Sequence, residues 1–150
     1  MKVFLTAFSI IVSLLTVPAD LPDPESVITV SEAEQHLLER VVMSEAGGQS
    51  AYCQEAVATV ILNRVYCEDK FPDNITDVIY APGQFSTHNN GDPTDQVKLS
   101  VALAIDRYQT EHQCINKSCY YFRSGNYHNF GIDYMHIGDL YFSLAENFAE

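Results

Sequence analysis

One glutamate near the end of a predicted helix is placed where it could do acid–base chemistry. Successive helical residues turn by ~100°, so Glu45 lies ~20° from Leu38 and ~40° from Val41 around the axis. The pattern therefore predicts a carboxyl group on the apolar side of the helix. Because burying an ionised carboxylate is costly, such a group tends to stay protonated near neutral pH, as a general acid must. The alternative is a glutamate that caps a neighbouring helix or reaches solvent.

A glycine pair, Gly47 and Gly48, ends this helix and leaves little side-chain bulk beside the glutamate. A second predicted helix, residues 51–66 with Ser50 as its cap, is apolar nearly all round and belongs at the centre of a domain. Asn63 interrupts it. A buried asparagine must have partners, so Asn63 is either a structural hydrogen-bonding residue or a substrate contact.

The remaining elements predict an α+β, mainly helical domain with a small antiparallel sheet. Ser31 and Glu34 form a capping box that starts the first helix. Asn74 caps a short helix through Tyr80, after which a stop signal leads into a loop at residues 84–86. Pro93 suits the first turn of a further helix. Two short aromatic segments predict strands, residues 120–122 and 140–142.

Composition limits the possible functions. The chain has 150 residues, enough for one compact domain, and 47% of them are hydrophobic, which favours a packed core. The net charge of −12 argues against binding to nucleic acid or to anionic lipid. Tryptophan is absent, so any surface for stacking on sugar rings must use Tyr, Phe or His.

The first residues predict export. Lys2 precedes a mainly apolar run, and residues 17–19 offer the small side chains that a signal peptidase recognises. We therefore expect a signal peptide at residues 1–19, a linker at 20–30 and the domain at 31–150. An uncleaved membrane anchor is the alternative. After removal of the signal peptide we expect no stable association with the membrane.

Four cysteines in an exported chain predict disulfides. Cys53 and Cys67 lie near the two ends of one predicted helix, ~21 Å apart, which is too far for a bond. Cys114 and Cys119 could bond across a short loop, or two cross-pairs could join the helix to the C-terminal region. The five histidines are scattered, so we predict no metal site and no cofactor.

Several motifs in order resemble the cell-wall hydrolase family of the spore-cortex-lytic enzymes, over about residues 39–144. The family has a lysozyme-like fold, and its members are described as lytic transglycosylases that cut peptidoglycan between N-acetylmuramic acid and N-acetylglucosamine. The motifs are Met43-Ser44-Glu45-Ala46-Gly47-Gly48, Glu55-Ala56-Val57-Ala58-Thr59-Val60-Ile61-Leu62-Asn63-Arg64-Val65, Phe71-Pro72-Asp73-Asn74-Ile75 and Val78-Ile79-Tyr80-Ala81-Pro82-Gly83-Gln84-Phe85-Ser86.

The resemblance implies that Glu45 is the catalytic residue. It would protonate the glycosidic oxygen and then take the proton of the muramic acid 6-hydroxyl, closing a 1,6-anhydro ring. No second acid stands out, which fits one glutamate better than a hydrolase with two carboxylates. We expect the glycan to be bound by loop and strand residues, with one of Tyr121 and Phe122 in the core. The candidates are Gln84, Phe85, Ser86, Asn63, Tyr121, Tyr127 and His128.

Two other functions remain open. A wall amidase would cut the peptide stem and would need a zinc site of His, Cys or carboxylate ligands. A non-catalytic protein that binds glycan would keep the fold without the chemistry. In each case the expected partner is the peptidoglycan strand, and we expect a monomer.

Overall fold

The computed structural model describes residues 29–67, 70–86 and 91–145, and its α+β architecture confirms the predicted fold class. The predicted signal peptide and most of the linker lie outside the described residues. None of the described helices is long and apolar enough to cross a membrane. The elements are α1 (Glu32–Ala46), α2 (Ala51–Val65), α3 (Ile75–Tyr80), α4 (Asp95–Gln109), β1 (Cys119–Ser124), β2 (Ile132–Ile137) and β3 (Leu140–Leu144).

Side-chain caps begin the helices largely where the sequence predicts. Ser31 accepts a hydrogen bond from the Glu34 amide, and the Glu34 carboxylate accepts one from the Ser31 amide, so the capping box is confirmed. The predicted place of Pro93 inside α4 is wrong. Thr94 is the cap of α4, because its hydroxyl accepts the Val97 N–H, and Pro93 therefore precedes the helix.

Helix α2 is the centre of the domain, as its composition predicts. Every residue from Cys53 to Val65 is buried, and the helix packs against α1, α3, α4 and β1. A helix at the surface of a domain needs an apolar stripe on one side only, whereas a helix enclosed on all sides must be apolar nearly all round. The stripe predicted on α4 is buried against it, and consists of Val97, Val101, Ala104, Ile105 and Tyr108.

The sheet is antiparallel, with β3 between β1 and β2. Phe142 on β3 is fully buried and pairs with Phe122 on β1 and Met135 on β2, so this face packs on the helices. The sequence predicts β1 and β3 but misses β2. That strand lies at an edge, most of its residues are exposed, and a register shift between Asp133 and Met135 breaks the alternation that would reveal it.

The predicted disulfides are not confirmed, because the described part of the chain contains no disulfide bond. The cysteine sulfur atoms contact different partners: Cys53 Sγ lies 3.6 Å from the Ile137 carbonyl oxygen, and Cys114 Sγ lies 3.5 Å from Thr59 Oγ1. Burial raises the pKa of the Cys53 and Cys114 thiols to about 11 and that of Cys119 to about 12. The three thiols are therefore protonated at neutral pH and are poor nucleophiles.

Asn63 ties α2 to the start of β1. The residue is 1% exposed, and its Nδ2 donates to the carbonyl oxygens of Asn116 at 3.0 Å and Cys119 at 2.9 Å. Both N–H bonds of the amide are thus engaged inside the domain. This placement favours the structural alternative for Asn63 over contact with a substrate.

We expect the substitution Asn63→Ala to lower the free energy of unfolding by about 2–3 kcal/mol, because it removes two hydrogen bonds that join α2 to the start of β1. Urea denaturation followed by circular dichroism measures the change. Asn126→Ala, in an exposed loop, is the control and should change stability by less than about 0.5 kcal/mol. Unaltered stability together with weaker glycan binding would instead identify Asn63 as a substrate contact.

Candidate functional site

Glu45 lies in the last turn of α1, next to the buried Ala46. Its side chain is half-buried, so the carboxyl group is less enclosed than Leu38 and Val41 on the predicted apolar side of the helix. The helix ends at Ala46, and at this end the carboxylate meets a loop instead of the core. The backbone N–H of Ser86 donates to Oε1 of Glu45 at 2.6 Å.

The Ser86 contact distinguishes the two oxygens of the carboxyl group. A backbone N–H is a donor at every pH, and a hydrogen bond from it to an ionised oxygen is short and charge-assisted. Because Oε1 of Glu45 already accepts this bond, the acid form carries its proton on Oε2. The group that can donate to a substrate is therefore Oε2–H, with Oε1 fixed.

The backbone on the C-terminal side of Glu45 is held by a buried glutamine. Gln54 is fully buried, and its Nε2 donates to the carbonyl oxygens of Ala46 and Gln49, both at 3.2 Å. Its Oε1 accepts from Ser100 Oγ at 3.1 Å. These bonds join the end of α1 and the turn that follows it to the buried helix α2. No sequence pattern predicts this role for Gln54.

One of the two glycines leaves open space in the turn after α1. At Gly48 an added Cβ would meet no described heavy atom within 4 Å, so this side of the turn is open. At Gly47 an added Cβ would meet the Met43 carbonyl oxygen, so this glycine permits close packing of the helix end. Gly48 thus leaves open space in the turn that follows Glu45.

The three predicted loop residues have different surroundings. Ser86 is the one whose backbone contacts Glu45. The Gln84 side chain accepts a hydrogen bond at Oε1 from Nη1 of Arg64 at 2.9 Å. Phe85 is half-buried, with its ring centroid 6.1 Å from that of Phe122.

Arg64 also belongs to the site, because it binds the Gln84 side chain. It is 5% exposed, and its Nε donates to the Tyr120 carbonyl oxygen at 2.8 Å. Burial lowers the pKa of its guanidinium to about 10, so the group is still protonated at neutral pH. The signal for its role is its position in the sequence, where a cation interrupts an apolar helix.

The predicted aromatic candidates form two separate clusters. Tyr121 and His128 both contact Phe130, with centroid distances of 5.1 and 4.6 Å, and Phe130 is 44% exposed. Tyr127 packs instead against Tyr141, at 5.0 Å. No sequence pattern predicts a role for Phe130, because it follows no strand pattern and lies in the loop between β1 and β2.

The expected division of roles between the adjacent residues of β1 agrees with their contacts. The Phe122 ring lies 5.8 Å from that of the fully buried Phe142, so Phe122 packs on the core. Tyr121 belongs to the half-exposed cluster with Phe130. Within the described ranges, no three His, Cys, Asp or Glu side chains are grouped so as to hold a metal ion.

Comparisons with known proteins match this architecture. The model of one protein family, described as Cell Wall Hydrolase, matches residues 48–143. Glu45 lies just before the matched range. No curated protein matches the sequence at a significant level.

Two solved structures have a similar fold. The catalytic domain of the Bacillus cereus SleB protein has a TM-score of 0.64 and 24% identity, over 78% of this chain and 94% of that one. The catalytic domain of the germination-specific lytic transglycosylase SleB from Bacillus anthracis has a TM-score of 0.62 and 23% identity, over 76% and 96%. Because the family model covers well over half of the sequence, the chain belongs to the cell wall hydrolase family.

Proposed function

We propose that this protein is a peptidoglycan lytic transglycosylase that uses Glu45 as its one acid–base group. The observation that carries the proposal is the half-buried carboxylate at the end of α1, bonded through Oε1 to the Ser86 N–H beside an open turn. The similarity in fold to a domain described as a lytic transglycosylase supports the same reaction.

In the first step, Oε2–H of Glu45 protonates the oxygen that links N-acetylmuramic acid to N-acetylglucosamine. The bond between this oxygen and the muramic acid C1 then breaks through an oxocarbenium-like transition state. Proton transfer from a positioned acid contributes roughly 10²- to 10⁴-fold in rate. Negative charge develops on Glu45 in this step, and the Ser86 N–H already points at Oε1 to stabilise it.

In the second step, the ionised Glu45 takes the proton of the muramic acid 6-hydroxyl. The O6 oxygen attacks C1 and forms a 1,6-anhydro ring, and Glu45 returns to its acid form. No water is consumed and no cofactor is needed. One carboxyl group therefore serves first as acid and then as base.

Four aspartates in the loops and helix starts, namely Asp73, Asp77, Asp92 and Asp95, could be a second acid only by their positions in the sequence. Asp77 Oδ2 accepts from Asn74 Nδ2 at 2.8 Å in the cap of α3, and Asp95 lies in the first turn of α4. A carboxylate in a first turn is stabilised by the helix dipole. Asp73 and Asp92 are exposed. These placements support the mechanism with one glutamate.

The glycan would lie across the open side of the Glu45 turn. We propose that the exposed Phe130, with Tyr121 and His128, stacks on a sugar ring, and that Gln84 or Ser86 bonds an N-acetyl or hydroxyl group. Tyr127 belongs to a second contact with Tyr141. We also propose that Phe85 lines the glycan-binding groove. The protein would be exported through a signal peptide at residues 1–19 and would act on the cell wall as a monomer.

We expect Glu45→Gln to reduce formation of anhydro ends by roughly 10²-fold or more, because the amide cannot supply the proton. Mass spectrometry of peptidoglycan digests distinguishes the products, since an anhydro end lacks one water relative to a hydrolysed reducing end. Glu32→Gln, an exposed acid at the other end of α1, is the control and should retain activity. Reducing ends from the wild type would show a hydrolase that uses a second nucleophile.

Treatment with a metal chelator should leave the rate of glycan cleavage within about 2-fold of the untreated rate, because the proposed acid–base chemistry of Glu45 needs no metal. Muropeptide analysis before and after chelation, with a zinc-dependent amidase as positive control, makes the measurement. Loss of activity with restoration by Zn²⁺, or cleaved stem peptides among the products, would favour the amidase function.

A further inference from the structure

Arg64 is a buried cation whose charge needs an explanation. It is 5% exposed, and among the described residues no carboxylate forms an ion pair with it. Burying a guanidinium is costly unless its N–H groups are paired. Two are paired with neutral oxygens, the Tyr120 carbonyl and Gln84 Oε1. An apolar residue at this position would avoid the cost but could make neither hydrogen bond.

Aromatic rings surround the rest of the guanidinium. The Arg64 Cζ atom lies 4.8 Å from the ring centroid of Phe85, 5.2 Å from that of Phe71 and 5.9 Å from that of Tyr121. These distances are within the range of cation–π attraction, which strengthens when the pair is removed from water. The Arg64 guanidinium thus attracts the Phe85 ring and also binds the Gln84 side chain.

The next residue along the chain contacts the catalytic carboxylate. Gln84 and Phe85 are both anchored to Arg64, and the N–H of Ser86 donates to Oε1 of Glu45 at 2.6 Å. Arg64 itself belongs to α2, the fully enclosed helix, and its Nε is fixed by the Tyr120 carbonyl. The buried Arg64 guanidinium is therefore connected to Glu45 through residues 84 and 85 and the backbone amide of Ser86.

We propose that Arg64 is a positioning residue for Glu45, which holds residues 84–86 so that the Ser86 amide selects the oxygen of Glu45 that carries the proton. The inference rests on the proposed function of Glu45. A displacement of about 1 Å in a catalytic group can cost roughly 10²-fold in rate. Arg64 acts on the reaction through Ser86 and does not touch the reacting atoms.

The test compares Arg64→Lys with the wild type. Lysine keeps the positive charge, but its single ammonium group cannot reproduce the planar fork that reaches both Tyr120 and Gln84. We expect the saturating rate of anhydro-end formation to fall roughly 10- to 10²-fold, which is more than the rise in the half-saturating peptidoglycan concentration. A residue with only a structural role would not produce this split.

A second readout does not depend on activity. The proton resonance of the Ser86 amide should lie downfield because of its short bond to a carboxylate, and Glu45→Ala should move it upfield. We expect Arg64→Lys to move it in the same direction. Gln84→Met removes the acceptor from an exposed side chain without threatening the fold, and should produce a smaller shift of the same sign.

Arg107→Lys is the matched control. Arg107 also lies near a helix end and pairs with the buried Glu55 at 2.9 Å, away from residues 84–86, so rate and Ser86 resonance should stay at wild-type values. A wild-type rate and an unshifted Ser86 resonance in Arg64→Lys would overturn the inference. The inference would also be overturned if Gln84→Met left the Ser86 resonance unshifted and raised the half-saturating peptidoglycan concentration. That result would make Gln84 a glycan contact only.

The two hypotheses fail separately. If the wild type forms no anhydro ends, the proposed function is wrong, yet the Ser86 resonance in Arg64→Lys still shows whether Arg64 sets the contact with Glu45. If Arg64→Lys does not fold, the Ser86 resonance in Gln84→Met decides. A shift there supports the positioning role, and its absence overturns it.

Discussion

The burial of α2 on every side is the constraint on which the rest of the structure depends. Polar groups on such a helix cannot reach water, so each must find a partner in the neighbouring elements. Gln54 binds carbonyls after the end of α1, Asn63 binds carbonyls at the start of β1, and Arg64 binds both β1 and the loop before residue 87. Hydrogen bonds from the core thereby fix the segments that carry the site.

This arrangement separates stability from positioning. The apolar residues of α2 supply the non-directional part of the folding energy, which would tolerate small shifts of the neighbouring elements. Hydrogen bonds from Gln54 and Arg64 have narrow ranges of distance and angle. Two segments flank Glu45, namely the turn after α1 and the loop at Ser86. Hydrogen bonds fix their positions relative to α2 more closely than packing alone would.

The sequence predicts the local features of the fold well. The helices and their caps at Ser31, Ser50 and Asn74 depend on neighbouring residues, and the enclosed α2 is visible from composition alone. Strand β2 was missed because an exposed edge strand with a register shift has no clear alternation. The disulfides were expected from the number of cysteines, which does not report where each sulfur points.

The site could be predicted only in part, for a similar reason. Helical periodicity identifies Glu45, but its partner is a backbone N–H, and every residue other than proline has one. No residue type at position 86 could therefore have indicated the contact. Arg64 and Gln54 could have been identified, since both are polar interruptions of an apolar helix. Their partners lie 5 to 56 positions away and become known only when the chain is folded.

A backbone donor suits a carboxyl group that must act in both directions. The Ser86 N–H neither gains nor loses a proton in the working pH range, so it stays in place when Glu45 is an acid and when it is a base. Its bond to Oε1 strengthens as the charge develops and weakens as the proton returns, without any rotation of the side chain. Little reorganisation is then needed between the two steps, provided that residues 84–86 do not move. The anchoring of that segment to the enclosed helix α2 supplies this condition.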